Sequence, residues 1–89
     1  LEDRKRSKPM NVILQQKNLY HLVNTLNWSE PVETIQKVFA ETYRLSFSKV
    51  RVVKESGFAL IDLRFPQKRQ YRITVNCVCR VFSYKRMPV

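Results

Sequence analysis

Two cysteines and one histidine are the side chains of this sequence best suited to metal binding or redox chemistry. Cys77 and Cys79 are separated by a single residue, and His21 lies far from both. A structural zinc site needs about four Cys or His ligands, with paired cysteines usually two to four residues apart. A redox pair favours a Cys-x-x-Cys turn at the start of a helix. The spacing therefore indicates neither kind of site, and it implies no metal and no other cofactor.

A catalytic centre is not indicated either. General acid-base and nucleophilic catalysis need ionisable groups that converge on one point. His21 lies within an amphipathic helical pattern, and all but one of the acidic residues fall in the N-terminal arm, the predicted helices or a turn. The remaining acid, Asp62, has Arg64 as its neighbour on one strand face, which favours an ion pair. We therefore expect a domain that binds a partner without catalysing a reaction on a small-molecule substrate.

The segments that position these residues follow from the spacing of the apolar side chains. A spacing of three and four residues predicts a first helix over residues 11–27 and a second over residues 32–43. A period of two then predicts strands over residues 46–54, 58–65 and 71–84. Because strands usually have ~5 to 6 residues, we expect a bend or bulge in the third.

These elements predict one small α+β domain. The chain has 89 residues, of which 44% are apolar, so it can form one core and not two. We expect residues 1–9 to be a flexible basic arm and residues 10–89 to be the domain, with two N-terminal helices packed on one face of a three-stranded antiparallel sheet (ααβββ). With no apolar run of ~18 to 20 residues and no disulfide framework, we expect an intracellular location, nuclear or cytoplasmic.

The third predicted strand carries different residues on its two faces, because successive side chains of a strand point in opposite directions. Its odd positions are apolar and include Cys77 and Cys79, which predicts that both cysteines are buried under the helices. Its even positions turn to an open face of the sheet. Together with the first two strands, that open face is expected to present Lys49, Arg51, Arg64, Arg72, Arg80, Phe82 and Tyr84.

Positive charge is concentrated in the sheet half of the chain. The net charge is +10; residues 1–43 carry six bases and five acids, whereas residues 44–89 carry eleven bases and two acids, a balance of +9. Further bases cluster near the two ends of the third strand, Lys68, Arg69 and Arg72 at one end and Lys85 and Arg86 at the other. In a straight strand these clusters are too far apart to share one phosphate, so they would follow a backbone across the sheet or make two separate contacts.

A basic sheet face with exposed aromatic rings suits RNA or single-stranded nucleic acid. Binding of basic side chains to phosphates releases the counterions condensed on a nucleic acid, which favours the complex, and aromatic rings can stack on bases. The candidate binding residues are Lys49, Arg51, Arg64, Lys68, Arg69, Arg72, Arg80, Phe82, Tyr84, Lys85 and Arg86.

Two alternatives stay open. The chain could be an adaptor or regulatory domain of a larger protein, with a protein partner on the helices, on the open sheet or on an exposed strand edge. It could also contact anionic phospholipid at a membrane surface. The membrane alternative has the least support, because neither predicted helix resembles an interfacial anchor.

Overall fold

The computed structural model describes residues 16–88 of the chain. This part contains helices α1 (Gln16–Thr25) and α2 (Val32–Tyr43), a short 3₁₀ helix (Phe47–Lys49), and strands β1 (Val50–Glu55), β2 (Phe58–Phe65), β3 (Arg69–Asn76) and β4 (Phe82–Met87). The four strands form an antiparallel sheet in the order β1-β2-β3-β4. The predicted α+β class with two helices is confirmed, and the prediction of three strands is wrong. The predicted arm, residues 1–9, lies outside the described residues.

Each helix buries one apolar stripe. The stripes comprise Leu19, Leu22 and Val23 in α1, continued by Leu26 directly after the helix, and Ile35, Phe39, Ala40 and Tyr43 in α2. Helix α2 ends at Tyr43 because Arg44 adopts a left-handed conformation, with φ 57° and ψ 44°, and its N–H bonds back to the last helical turn. Neither described helix is long and apolar enough to cross a bilayer.

The helices cover one face of the sheet. Alternate strand positions on this face are buried, namely Val50, Val52, Ala59, Ile61, Leu63, Phe65, Tyr71, Ile73 and Val75. This burial agrees with the alternation predicted for the first two strands and for the first part of the third. Burying each large side chain contributes roughly 1.5–3 kcal/mol, so the helix-facing side holds most of the stability. We call the other side, which includes Arg51, Asp62, Arg64 and Arg72, the open face.

The predicted third strand is interrupted after Asn76. The Asn76 side-chain Oδ1 accepts hydrogen bonds from the backbone N–H groups of Val78 (2.9 Å) and Cys79 (3.1 Å), and Arg80 N–H donates to the Asn76 carbonyl (2.7 Å). Arg80 itself has a positive φ of 64°. These local bonds replace ladder bonds and reverse the chain. The expected bend is therefore a complete turn, and it converts one long strand into the hairpin β3–β4.

This reversal moves two predicted site residues to the other face. Directly paired residues of an antiparallel sheet share a face, and Val75 pairs with Phe82 while Ile73 pairs with Tyr84. Because Val75 and Ile73 are buried under the helices, Phe82 and Tyr84 lie on the helix-facing side. Their predicted position on the open face is wrong.

The prediction for the cysteines is correct only in part. Cys77 is half-buried and packs against the core, and its N–H donates to the Gly57 carbonyl at 2.8 Å. Burial raises the pKa of the Cys77 thiol, and the charge of Lys54 opposes this rise. Cys79 is exposed in the turn, because the chain has already left the sheet at that point. The burial predicted for Cys79 is wrong.

Candidate nucleic-acid interface

Most of the basic side chains of the described residues lie at one end of the sheet. At this end β1 and β3 begin while β2 and β4 end, as the strand pairing requires. We call it the basic end; it comprises Arg44, Lys49, Arg51, Arg64, Lys68, Arg69, Arg72, Lys85 and Arg86. The opposite end of the sheet carries the turn at Gly57 and the turn at residues 77–79.

The hairpin β3–β4 unites the two basic clusters that the sequence places apart. Arg72 pairs with Lys85 and Tyr71 pairs with Arg86. Lys85 and Arg86 therefore lie beside the start of β3, next to Lys68 and Arg69. The expectation of two clusters at opposite ends of a straight strand is wrong, because the chain turns back between them.

A row of charged residues crosses the open face through all four strands. Arg51 pairs with Asp62, Asp62 with Arg72, and Arg72 with Lys85. At a strand spacing of about 4.8 Å this row spans about 14 Å. The Arg72 guanidinium donates to Asp62 through Nε (2.8 Å) and Nη2 (3.2 Å). The hydrogen bond with Asp62 and the charge of that carboxylate raise the pKa of Arg72.

Three adjoining depressions surround the basic end, and Lys49 and Arg64 line all three. The first, of about 280 Å³, continues along Lys68 and Arg69. The second, of about 410 Å³, continues to Arg44. The third, of about 310 Å³, opens onto the charged row of the open face. Lys49 and Arg64 therefore join the open face to the outer end of the sheet.

Local bonds hold the walls of these depressions. Gln36 Nε2, on α2, donates to the Phe47 carbonyl (3.1 Å) and to the Val50 carbonyl (2.6 Å), which attaches the segment bearing Lys49 to the helix layer. Arg69 Nε donates to the Pro66 carbonyl at 3.1 Å. The Arg69 guanidinium carbon lies 6.0 Å from the centre of the Phe65 ring, within the range of a cation-π contact.

Besides Glu41, which lies on α2 three residues before Arg44, the described strands carry one carboxylate at the basic end. Asp62 lies there and is paired with Arg72, while Glu55 ends β1 at the opposite end of the sheet. No group of three or more His, Cys, Asp or Glu residues among residues 16–88 is placed to hold a metal ion. Basic side chains therefore outnumber acidic ones at the basic end, and the ligand it suits is an anion.

Three predicted site residues do not join the basic end. Arg80 lies in the turn at the far end, where its Nη1 donates to the Asn24 carbonyl of α1 at 3.1 Å. Phe82 is half-buried against the core and Tyr84 is 37% exposed, both on the helix-facing side. Phe58 does lie on the open face, but it lies at the far end, paired with Asn76. The expected arrangement of aromatic rings among bases on the open face is absent from the described residues.

Arg44 belongs to the basic end although the sequence pattern did not assign it to the site. It lines the second depression together with Lys49 and Arg64. The sequence did offer one signal, because Arg44 directly follows a predicted helix that leads into the first predicted strand. A residue in that position lies at the end of the sheet where the strand begins.

No family model, no curated protein and no solved structure matches this chain.

Proposed function

We propose that this domain is a non-catalytic module that binds nucleic acid by its phosphates, at the basic end of the sheet. The observation that carries the proposal is the register of β3–β4, which adds Lys85 to the bases of the other three strands. Cations grouped in this way release the counterions condensed on a nucleic acid, and this release drives binding. RNA and single-stranded DNA are the first candidates.

The contacts are expected to be made mainly to phosphates. Base stacking needs exposed rings beside the cations. Phe82 and Tyr84 lie on the helix-facing side, which leaves Phe47, 49% exposed and two residues before Lys49, as a ring beside the basic end that could stack. Phosphate contacts fix the position of a nucleic acid and carry no sequence information directly. The proposal therefore implies binding with little sequence preference and with strong dependence on salt.

Binding of the full chain to a short labelled RNA, measured by fluorescence anisotropy over a salt series, tests this proposal. The informative variant is the double substitution Lys49→Gln and Arg64→Gln. The control, Lys37→Gln with Arg80→Gln, removes the same charge outside the depressions. If Lys49 and Arg64 each contact a phosphate, the first variant lowers the slope of log affinity against log salt by about 1.4 for a single strand or about 1.8 for a duplex.

The control variant is expected to retain the wild-type slope. Equal loss of affinity in both double variants would show that net charge alone attracts RNA and that no surface is preferred. Absence of RNA and DNA binding at low salt would reject the proposal. Far-ultraviolet circular dichroism on each variant checks that the fold is retained.

Contact with a protein is the second candidate function. Val78 is 85% exposed and Val81 is 68% exposed, both in the turn that joins β3 to β4. Exposed apolar residues grouped in this way are typical of protein contacts. Replacing both by serine is expected to leave RNA binding unchanged, since this turn lies at the end of the sheet opposite the bases.

A further inference from the structure

The two depressions on either side of Phe65 and Pro66 form a recess at the basic end. Both are lined by Lys49, Arg64, Phe65 and Pro66. We call the two together the end recess. Its cations are Arg44, Lys49, Arg64, Lys68 and Arg69, and none of its lining residues is acidic.

These cations come from separate segments that converge on one place. Arg44 follows α2, Lys49 ends the 3₁₀ helix, Arg64 lies in β2, and Lys68 and Arg69 belong to the β2–β3 turn and the start of β3. Within residues 16–88 none of the five makes a salt bridge with an acidic side chain. The end recess therefore concentrates more positive charge than a single phosphodiester, with one negative charge, would balance.

One of the arginines is held in place before any ligand arrives. Arg69 is held by its Nε bond to the Pro66 carbonyl and lies over the Phe65 ring. Arg44 ends α2, which places its exposed side chain at the recess without ordering its guanidinium. Arginine presents a planar set of donors that matches the oxygens of a phosphate group. Because the Arg69 guanidinium is ordered in advance, less entropy is lost when an anion binds to it.

The location of the end recess distinguishes it from the charged row. The row lies on the open face, where a nucleic-acid strand that crosses the sheet would present its internal phosphodiesters. The end recess lies around the end of the sheet and joins the open face through Lys49 and Arg64, which also line the third depression. A nucleic-acid strand that lies along the open face and ends at the basic end would place its terminal phosphate in the end recess.

We propose that the end recess binds the terminal phosphate monoester of a nucleic-acid strand. A phosphate monoester carries a charge of about −1.5 to −2 and three strong acceptor oxygens, which suits several converging cations better than an internal phosphodiester does. This inference rests on the proposed function, and it adds that the domain recognises strand ends.

The test compares three RNA strands with the full chain at one salt concentration. The first carries a 5′-phosphate, the second has the same sequence with a 5′-hydroxyl, and the third is a 5′-hydroxyl strand one nucleotide longer. The third strand carries an added negative charge as an internal phosphodiester. The phosphorylated strand is expected to bind about tenfold more tightly than either of the others, as a charge-assisted hydrogen bond would allow.

Two sets of variants locate the effect. Arg44→Gln with Lys68→Gln changes the end recess alone and is expected to abolish the preference for the phosphorylated strand. Arg51→Gln with Lys85→Gln changes the row on the open face. We expect this variant to bind all three RNA strands more weakly and to keep the preference for the phosphorylated strand. Loss of the preference in both sets to the same degree would overturn the assignment to the end recess.

The remaining outcomes are also decisive. Equal binding of the phosphorylated strand and the longer hydroxyl strand would overturn the inference and leave the proposed function standing. Absence of binding by all three strands would overturn both.

A last experiment tests lipid phosphate. It compares vesicles that contain phosphatidic acid with vesicles of equal charge that contain phosphatidylserine. Retention on the former alone, without any preference among the RNA strands, would assign the recess to a lipid phosphate and overturn the inference.

Discussion

The Tyr43 hydroxyl is buried next to the basic end, and its removal has a measurable effect on alkaline unfolding. Tyr43 is 9% exposed and stacks on Phe39, with Phe65 edge-on to its ring. The hydroxyl finds no hydrogen-bond partner within residues 16–88. Burial, with a smaller contribution from Tyr84, raises the pKa of Tyr43 from 10.0 to about 12.

The sign and size of the effect follow from this shift. The folded state favours the neutral phenol of Tyr43. The free energy of unfolding is therefore unaffected by this group below about pH 10, and it falls as the pH rises toward about 12. A two-unit shift corresponds to a total loss on the order of 3 kcal/mol, of which roughly 1 kcal/mol is lost by about pH 11. Tyr43→Phe removes the titrating group, so the variant is spared this loss.

Urea unfolding at neutral pH and at about pH 11 measures the difference. At neutral pH we expect Tyr43→Phe to be as stable as the wild type or more stable by about 1 kcal/mol, since an unpaired buried hydroxyl is lost. At about pH 11 the advantage of the variant should grow by roughly 1 kcal/mol. Ile35→Val is the control, because it should cost about 1 kcal/mol at both pH values.

An advantage of Tyr43→Phe that is the same at both pH values would refute this reasoning, because the hydroxyl would then titrate alike in the folded and unfolded states. A clear loss of stability in the variant at neutral pH would show that the hydroxyl has a hydrogen-bond partner in solution.

Three further predictions concern the sheet. Ile61→Ala should lower the free energy of unfolding by about 3 kcal/mol in urea titration, because Ile61 is completely buried in the inner strand β2; a loss below about 1 kcal/mol would contradict the assigned core. Gly57→Ala should cost only about 1 kcal/mol, since φ is +85° but no atom lies within 4 Å of the added Cβ; a larger loss would indicate a clash. Asp62→Asn should tighten RNA binding in the anisotropy assay, because it removes the carboxylate that neutralises Arg72; unchanged binding would place Asp62 outside the interface, and weaker binding would show that the carboxylate is needed to orient Arg72.

Periodicity predicts most of the core because it depends on neighbouring residues alone. The stripe containing Leu19 and Val23 and the alternation around Ile61 both assign a buried face without knowledge of any partner segment. The turn after Asn76 could not be predicted in this way, because the apolar alternation continues past it to Val81. The remaining signal was the asparagine itself, whose side chain bonds to the following N–H groups.

The composition of the basic end depends on strand register, which the sequence pattern did not define. Lys85 joins Arg72 only because the chain reverses between β3 and β4. The same reversal moves Phe82 and Tyr84 to the helix-facing side, since pairing determines the face. The bases of the sheet half were therefore identified from the sequence, whereas their grouping at one end and the position of the rings were not.

A nuclear magnetic resonance titration of the full chain with a short RNA tests the central claim most directly. We expect the backbone amide signals of Lys49, Arg64 and Arg69 to shift during the titration, while those of Gly57 and Arg80 at the far end stay in place. Shifts confined to Gly57 and Arg80, or spread evenly over both ends of the sheet, would contradict a phosphate-binding surface at the basic end.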